Sequence, residues 1–267
     1  MVRTSYLLVA LLLGFVAAPS LAEWQEAPTL DSLVGERLDF KLKWGIITAA
    51  RARLEVLRRA DGAIVVRASA RTVPFLDSIY PVRETVESAL SPPDMRVQRY
   101  FKSGKEGRGP AGEDEILFDW DQGTAVLTRD GESREAIEVP EGVQDPISSF
   151  YAYRAAEVED YGPVVLDVTD GKKVVAGQVR VVGRERIKVP AGTFDAVVIE
   201  PQIEGVGGIF KKSPKASIRI WLTDDEWRTP LKLRSKVAVG HFTAVLTEMS
   251  RNSARGAWED SIPLANE

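Results

Sequence analysis

The chain contains no cysteine and a single histidine in 267 residues, and each scarcity removes a class of chemistry. Without cysteine there is no disulfide framework, no thiol nucleophile and no thiolate metal ligand, and with His241 alone a multi-histidine zinc site is excluded as well. A serine triad would have to bring His241 to Ser148, Ser149 or another serine, and none of these lies in the Gly-x-Ser-x-Gly context of a nucleophile turn. The fold must therefore rest on its hydrophobic core, for which a chain of this length is large enough. Charge of one sign is also lacking: 35 basic and 39 acidic residues give a net charge of −4, with the signs interspersed. That balance argues against a nucleic-acid partner and against a polybasic membrane-surface protein.

Only one long apolar run is present, and it lies at the start. Residues 1–22 have a short basic opening, an apolar stretch shorter than the roughly 20 residues that span a bilayer, and the small-x-small ending Ser20-Leu21-Ala22. This is the pattern of a secretory signal peptide cleaved after Ala22. Export to the periplasm of a Gram-negative-type bacterium is expected, with no transmembrane span after cleavage. The absent cysteine leaves a lipoprotein anchor no attachment point.

What is present reads mainly as β-strand. Residues 23–34 are polar and proline-bearing, a flexible leader. Leu38, Phe40, Leu42 and Trp44 alternate with Asp39, Lys41 and Lys43, and Ala50, Ala52, Leu54 and Val56 alternate with Arg51, Arg53 and Glu55, the period of a strand with one buried face. Asp61-Gly62, Asp130-Gly131 and Asp170-Gly171 mark tight hairpin turns, with Asp121-Gln122-Gly123 a longer version. Lys102 to Asp114 is glycine-rich and charged, which predicts a mobile loop. Residues 145–159 are the exception. Asp145 is a suitable N-cap, Pro146 sits in the first turn, and Ile147, Phe150, Tyr151, Ala155 and Val158 recur at helical spacing. The expected architecture is one domain over 35–250, a curved antiparallel up-and-down sheet or open barrel packed on one central amphipathic helix, with Phe150 a buried anchor. The tail 251–267 is polar.

Four separated motifs carry a resemblance: Trp44-Gly45 after an alternating strand, Gln144-Asp145-Pro146 with Ser149 and Tyr151, Pro190-Ala191-Gly192-Thr193-Phe194, and Ile220-Trp221-Leu222-Thr223-Asp224-Asp225 followed by Pro230. From about Gly35 to Leu246 the chain resembles the exported bacterial domain-of-unknown-function family numbered 3108. The resemblance implies a curved, barrel-like antiparallel β structure and carries over no catalytic residue. His241 stands where a small residue is expected.

Asp224-Asp225-Glu226 reads as a hairpin turn rather than a metal site, and Asp167 to Gly171 lacks the spacing of a calcium loop. No cofactor, metal ligand or catalytic residue stands out. Two apolar segments fall outside strand periodicity: Phe75, Leu76, Ile79 and Tyr80, and Ile209 and Phe210 followed by Lys211 and Lys212. These are the candidate ligand or membrane contacts, forming a mouth whose lysines meet lipid phosphates. The reading that follows is a non-enzymatic cell-envelope protein holding an apolar or amphipathic ligand, a lipid or lipid-linked glycan. The alternative is an assembly partner of an envelope protein complex, using a sheet edge or the Trp221 and Trp227 surface. A polysaccharide-acting enzyme with two carboxylates comes third.

Overall fold

A computed structural model describes residues 27–157, 163–202, 217–237 and 240–251. The first half of the chain is a meander: β1 (Glu36–Trp44), β2 (Ile47–Arg58), β3 (Ile64–Thr72), β4 (Val82–Ser91), β5 (Arg96–Glu106), β6 (Gly112–Asp119) and β7 (Thr124–Arg129), each antiparallel to the last. Two short strands, β8 (Glu132–Ser133) and β9 (Ile137–Glu138), both pair with β7. The second half repeats the scheme through β10 (Val164–Thr169), β11 (Val174–Val189), β12 (Gly192–Gln202), β13 (Ser217–Thr223), β14 (Pro230–Val237) and β15 (Gly240–Arg251). β15 then pairs with β1, so one continuous antiparallel sheet runs from β10 to β8. The tight turns fall where the Asp-Gly pairs predict them, with Gly62, Gly131 and Gly171 all at positive φ, a region glycine enters without steric cost.

Two helices interrupt the strands. α1 (Pro74–Asp77) is a single turn between β3 and β4, and α2 (Ser148–Ala155) is the predicted helix, shorter than the sequence suggests. Val158 and Glu159 lie outside the described residues. α2 begins because Asp145 Oδ1 accepts the N–H groups of Ile147 and Ser148 at 2.8 and 2.9 Å, while the Ser148 hydroxyl accepts the N–H of Asp145 at 2.9 Å. These bonds use donors that a helix start otherwise leaves unpaired.

The sheet wraps around α2. Tyr151 joins a cluster with Val56, Val66, Leu90, Ile116 and Leu127 from β2 to β7, whereas Tyr153 joins Val197, Ile199, Ile220 and Leu222 from β12 and β13. One helix thus touches strands from both halves of the sheet order, which requires a curved sheet with α2 on its concave face. A third cluster joins Leu38, Phe40 and Leu246 to Val189, Ala196, Val198 and Trp221. Among the described residues the sheet does not close by strand pairing. Its two edge regions are linked by the segment after β9, where Gln144 makes a parallel bridge to Val168 through bonds of 2.8 and 2.9 Å.

Several expectations change. Phe150 is only half-buried, and the buried helical side chains are Ser148, Tyr151, Tyr153 and Arg154. Lys102 to Asp114 is not a long loop, because β5 continues to Glu106 and β6 starts at Gly112. Leu30 and Leu33, read as part of a leader, are buried in the first cluster. Trp44 ends its alternating strand outside the core, at 50% exposure. The proposed Trp221 and Trp227 surface does not exist: Trp221 is buried and Trp227 packs against the first cluster.

Candidate functional site

Burial on the concave face is graded from one end to the other. Near α2 the rung Val56, Val66, Ser88, Tyr100, Ile116, Leu127 is fully or almost fully buried. One rung toward α1, two residues further along every strand, the same face carries Leu54, Ala68, Val86, Lys102, Asp114 and Arg129. The next carries Phe40, Ala52, Ala70, Glu84, Gly104 and Gly112. Leu54, Ala68, Ala52 and Ala70 are all half-buried. The upper concave face is therefore divided: β1 to β3 give an apolar wall of Phe40, Leu54 and three alanines, with Leu54 and Ala52 packed against the Phe40 and Trp221 cluster, and β4 to β7 give Glu84, Lys102, Asp114 and Arg129, an ionic one.

The ionic wall is built from pairs. Lys102 Nζ lies 3.0 Å from Glu84 Oε2, and both nitrogens of the Arg129 fork bond Asp114 at 2.5 Å. The hydrogen bond from Arg129 holds the Asp114 carboxyl below its usual range, against the opposing effect of burial. Each of the four side chains keeps between 26% and 41% exposure. Charges on a concave face with access to water can bind a polar group without first being uncovered. Below them, burial first and then nearby carboxylates push the Tyr100 hydroxyl far above its ordinary range, so it stays protonated.

At the α1 end of the sheet is an apolar lip. Phe75, Ile79 and Tyr80 are exposed at 75%, 58% and 51%, while Leu76 is half-buried. Tyr80 is fixed by its hydroxyl donating to Glu106 at 3.0 Å, and its ring packs on the open side of Gly107, where an added Cβ would meet it at 2.9 Å. The register also brings the β1–β2 turn to this end. Ile46 and Ile47 are exposed, and the Trp44 and Phe242 rings stack with centroids 6.3 Å apart. Sequence reading missed these four residues, because Trp44 continues the alternation of its strand and nothing in sequence marks where the core ends. Ile209, Phe210, Lys211 and Lys212 lie outside the described residues, between the end of β12 and the start of β13.

At the opposite end α2 is pinned by polar groups that the sequence does not single out. Arg154 and Glu36 form a fully buried, bidentate ion pair with bonds of 2.6 and 2.9 Å. Arg154 also donates to the Trp227 carbonyl at 3.1 Å, and Arg228 Nη1 donates to the carbonyls of Tyr153, Arg154 and Ala156, the last at 2.6 Å. The Ser88 hydroxyl donates to Asp145, 57 residues away. These contacts are structural.

The acidic trio forms the β13–β14 turn, with Asp225 Oδ1 accepting from the N–H groups of Trp227 and Arg228 and from the Thr223 hydroxyl. Asp170-Gly171 is likewise a turn, its Gly171 N–H donating to Thr169 Oγ1 at 3.0 Å. Among the described residues no group of three or more acidic or histidine side chains is arranged to hold a metal ion, and no helix is long and apolar enough to cross a membrane.

Comparison with solved structures gives a β-barrel-like protein of the DUF1849 family from Brucella abortus at a TM-score of 0.53, with 12% identity over 82% of this chain and 98% of that one. At that identity the likeness shows the fold alone. A candidate lipoprotein of Parabacteroides distasonis aligns at a TM-score of 0.31 with 12% identity, over 85% of this chain and 100% of that one. A candidate exported protein with a YmcC-like fold from Bacteroides fragilis aligns at 0.31 with 10% identity, over 85% and 99%. No curated protein matches the sequence. The model of the family described as "Protein of unknown function (DUF3108)" matches residues 39–247, most of the sheet and α2 with it, and the chain belongs to that family.

Proposed function

We propose that this chain is a non-enzymatic binding protein of the cell envelope, exported by its N-terminal signal, that holds an amphipathic ligand on the upper concave face. The observation that carries the reading is the division of that face. Half-buried Leu54, Ala52, Ala68 and Ala70 stand beside the ionic rung of Lys102, Asp114 and Arg129. The alanines leave room for an acyl chain or similar apolar body, and Lys102 and Arg129, each paired to one carboxylate, keep further N–H donors for a head group. The exposed Phe75, Ile79 and Tyr80 make an apolar entrance above it.

The test is native mass spectrometry of delipidated mature protein with lysophosphatidylglycerol as probe. A one-to-one complex is expected for wild type. Ala68→Phe with Ala70→Phe fills the apolar wall, and Lys102→Glu reverses a head-group charge; both should abolish or strongly weaken the complex while keeping a wild-type thermal transition. No complex with wild type, or an unchanged complex in both well-folded variants, overturns the reading.

A further inference from the structure

On the convex face of the same strands the register assembles a feature that no local stretch of sequence displays. Lys41 is opposite Arg51, Arg51 opposite Arg71, Arg71 opposite Arg83, and Arg83 opposite Lys105. Five bases therefore stand in one rung across β1 to β5. Directly opposed side chains on neighbouring antiparallel strands have Cβ atoms about 5 Å apart, and like charges so placed destabilise a sheet. Neutralisation is incomplete. Arg83 pairs with Asp77 at 2.5 Å, but Lys41, Arg51, Arg71 and Lys105 make no ion pair among the described residues. The next rung, Asp39, Arg53, Ser69, Thr85, Ser103, holds one acid, and that acid already takes Arg37 and Arg53 at 3.0 and 2.8 Å. Arg51 and Lys105 are exposed, and Lys41, Arg71 and Arg83 are half-buried.

We propose that this basic rung is a docking surface for an anionic phospholipid bilayer, and that it acts together with the apolar lip. Geometry and charge both favour this occupant. Lys41 is three residues from Trp44 on β1 and Arg51 four from Ile47 on β2, so at about 3.3 Å per residue these bases lie roughly 10–13 Å behind the lip, and Arg71 is next to last on β3, just before α1. Apolar side chains that enter an interface sink roughly 5–10 Å into the head-group boundary, which brings long Arg and Lys side chains level with the phosphates. The row repels itself in the free protein, and that repulsion is relieved when lipid phosphates interpose. A net charge of −4 would oppose approach to such a surface, so binding requires this local concentration of bases. The proposal stands apart from the concave-face reading, because it concerns the other side of the sheet.

The experiment is co-sedimentation of the mature chain with vesicles of phosphatidylcholine alone and with vesicles carrying about one-third phosphatidylglycerol, at low and high salt. Binding is expected only to the anionic vesicles and only at low salt. Each base near an anionic surface is worth about fivefold in partitioning, so Arg51→Gln with Arg71→Gln should weaken binding about 30-fold. Arg180→Gln with Arg186→Gln makes the same charge change at two exposed bases on β11 and should bind as wild type. Thermal melts check that both variants fold. The proposal is overturned by no binding, by equal binding to the two vesicle types, or by equal losses in the two double variants.

Discussion

Asp145 is fully buried, and burial pushes its carboxyl above the ordinary value of 3.8 although the backbone N–H groups of Ile147 and Ser148 and the hydroxyls of Ser88 and Ser148 pull the other way. Because the folded chain holds this proton more tightly than the unfolded one, the contribution to stability is full below pH 3.8 and is lost as pH rises through the folded value. Asp145→Asn keeps an oxygen for the two N–H groups and carries no charge. Urea midpoints measured from acid to neutral pH should show the Asn variant gaining on wild type as pH rises, and a constant difference would contradict the assignment. The capping role of Asp145 was legible in sequence because its donors are two and three residues away. Its burial was not, since that depends on Ser88 on a distant strand. The basic rung shows the same limit: in sequence Lys41, Arg51, Arg71, Arg83 and Lys105 are scattered among acids, and the mixed composition argues against a polybasic surface. Replacing Arg51 by Glu would set an acid between Lys41 and Arg71. Like pairs become unlike pairs, and stability should rise by about 0.5–1 kcal/mol in a urea titration; a loss of stability would mean that the row carries no strain.

The helix α2 is the best-marked element, and its inward face is legible in part: Tyr151 on the expected face is fully buried, with Ile147 and Phe150 packed against its cluster. Helical spacing points to Phe150 as the anchor, yet Arg154, a charged residue outside that apolar spacing, is completely buried. Its guanidinium is compensated by Glu36 on β1 and by the Trp227 carbonyl in the β13–β14 turn, so the charge was placed by partners 118 and 73 residues away. Breaking such a pair from one side leaves a buried charge uncompensated. Glu36→Gln, which also takes the carboxylate from Arg251, 3.3 Å from Glu36 Oε2, should therefore cost roughly 3–5 kcal/mol, whereas Glu36→Leu combined with Arg154→Met should recover the part of that loss due to Arg154. A double-mutant cycle from denaturant midpoints checks both statements, and additive losses would show that the two residues act independently. Strands fared better than the helix: the Asp-Gly turns stand as read, and so does the alternation in β1 and β2 except at Trp44, because both signals are local.

At the scale of the whole molecule, up-and-down topology followed from regularly spaced turns, but the pairing of β15 with β1 has no local signature. That pairing makes one sheet of the two halves, whereas the rungs that define the site come from the consecutive registers of β1 to β7. Along β1 to β5 alternation turns one set of side chains toward the concave face and the other toward the basic rung. The lip lies where the two sides meet. The most direct test of this division is methyl NMR of the mature protein titrated with lysophosphatidylglycerol. The account predicts shifts at the Leu54, Ala52, Ala68 and Ala70 methyls, with Val56, Leu90 and Val97 in the core near α2 unchanged. Shifts confined to those core residues, or none at the alanines of the apolar wall, would contradict it.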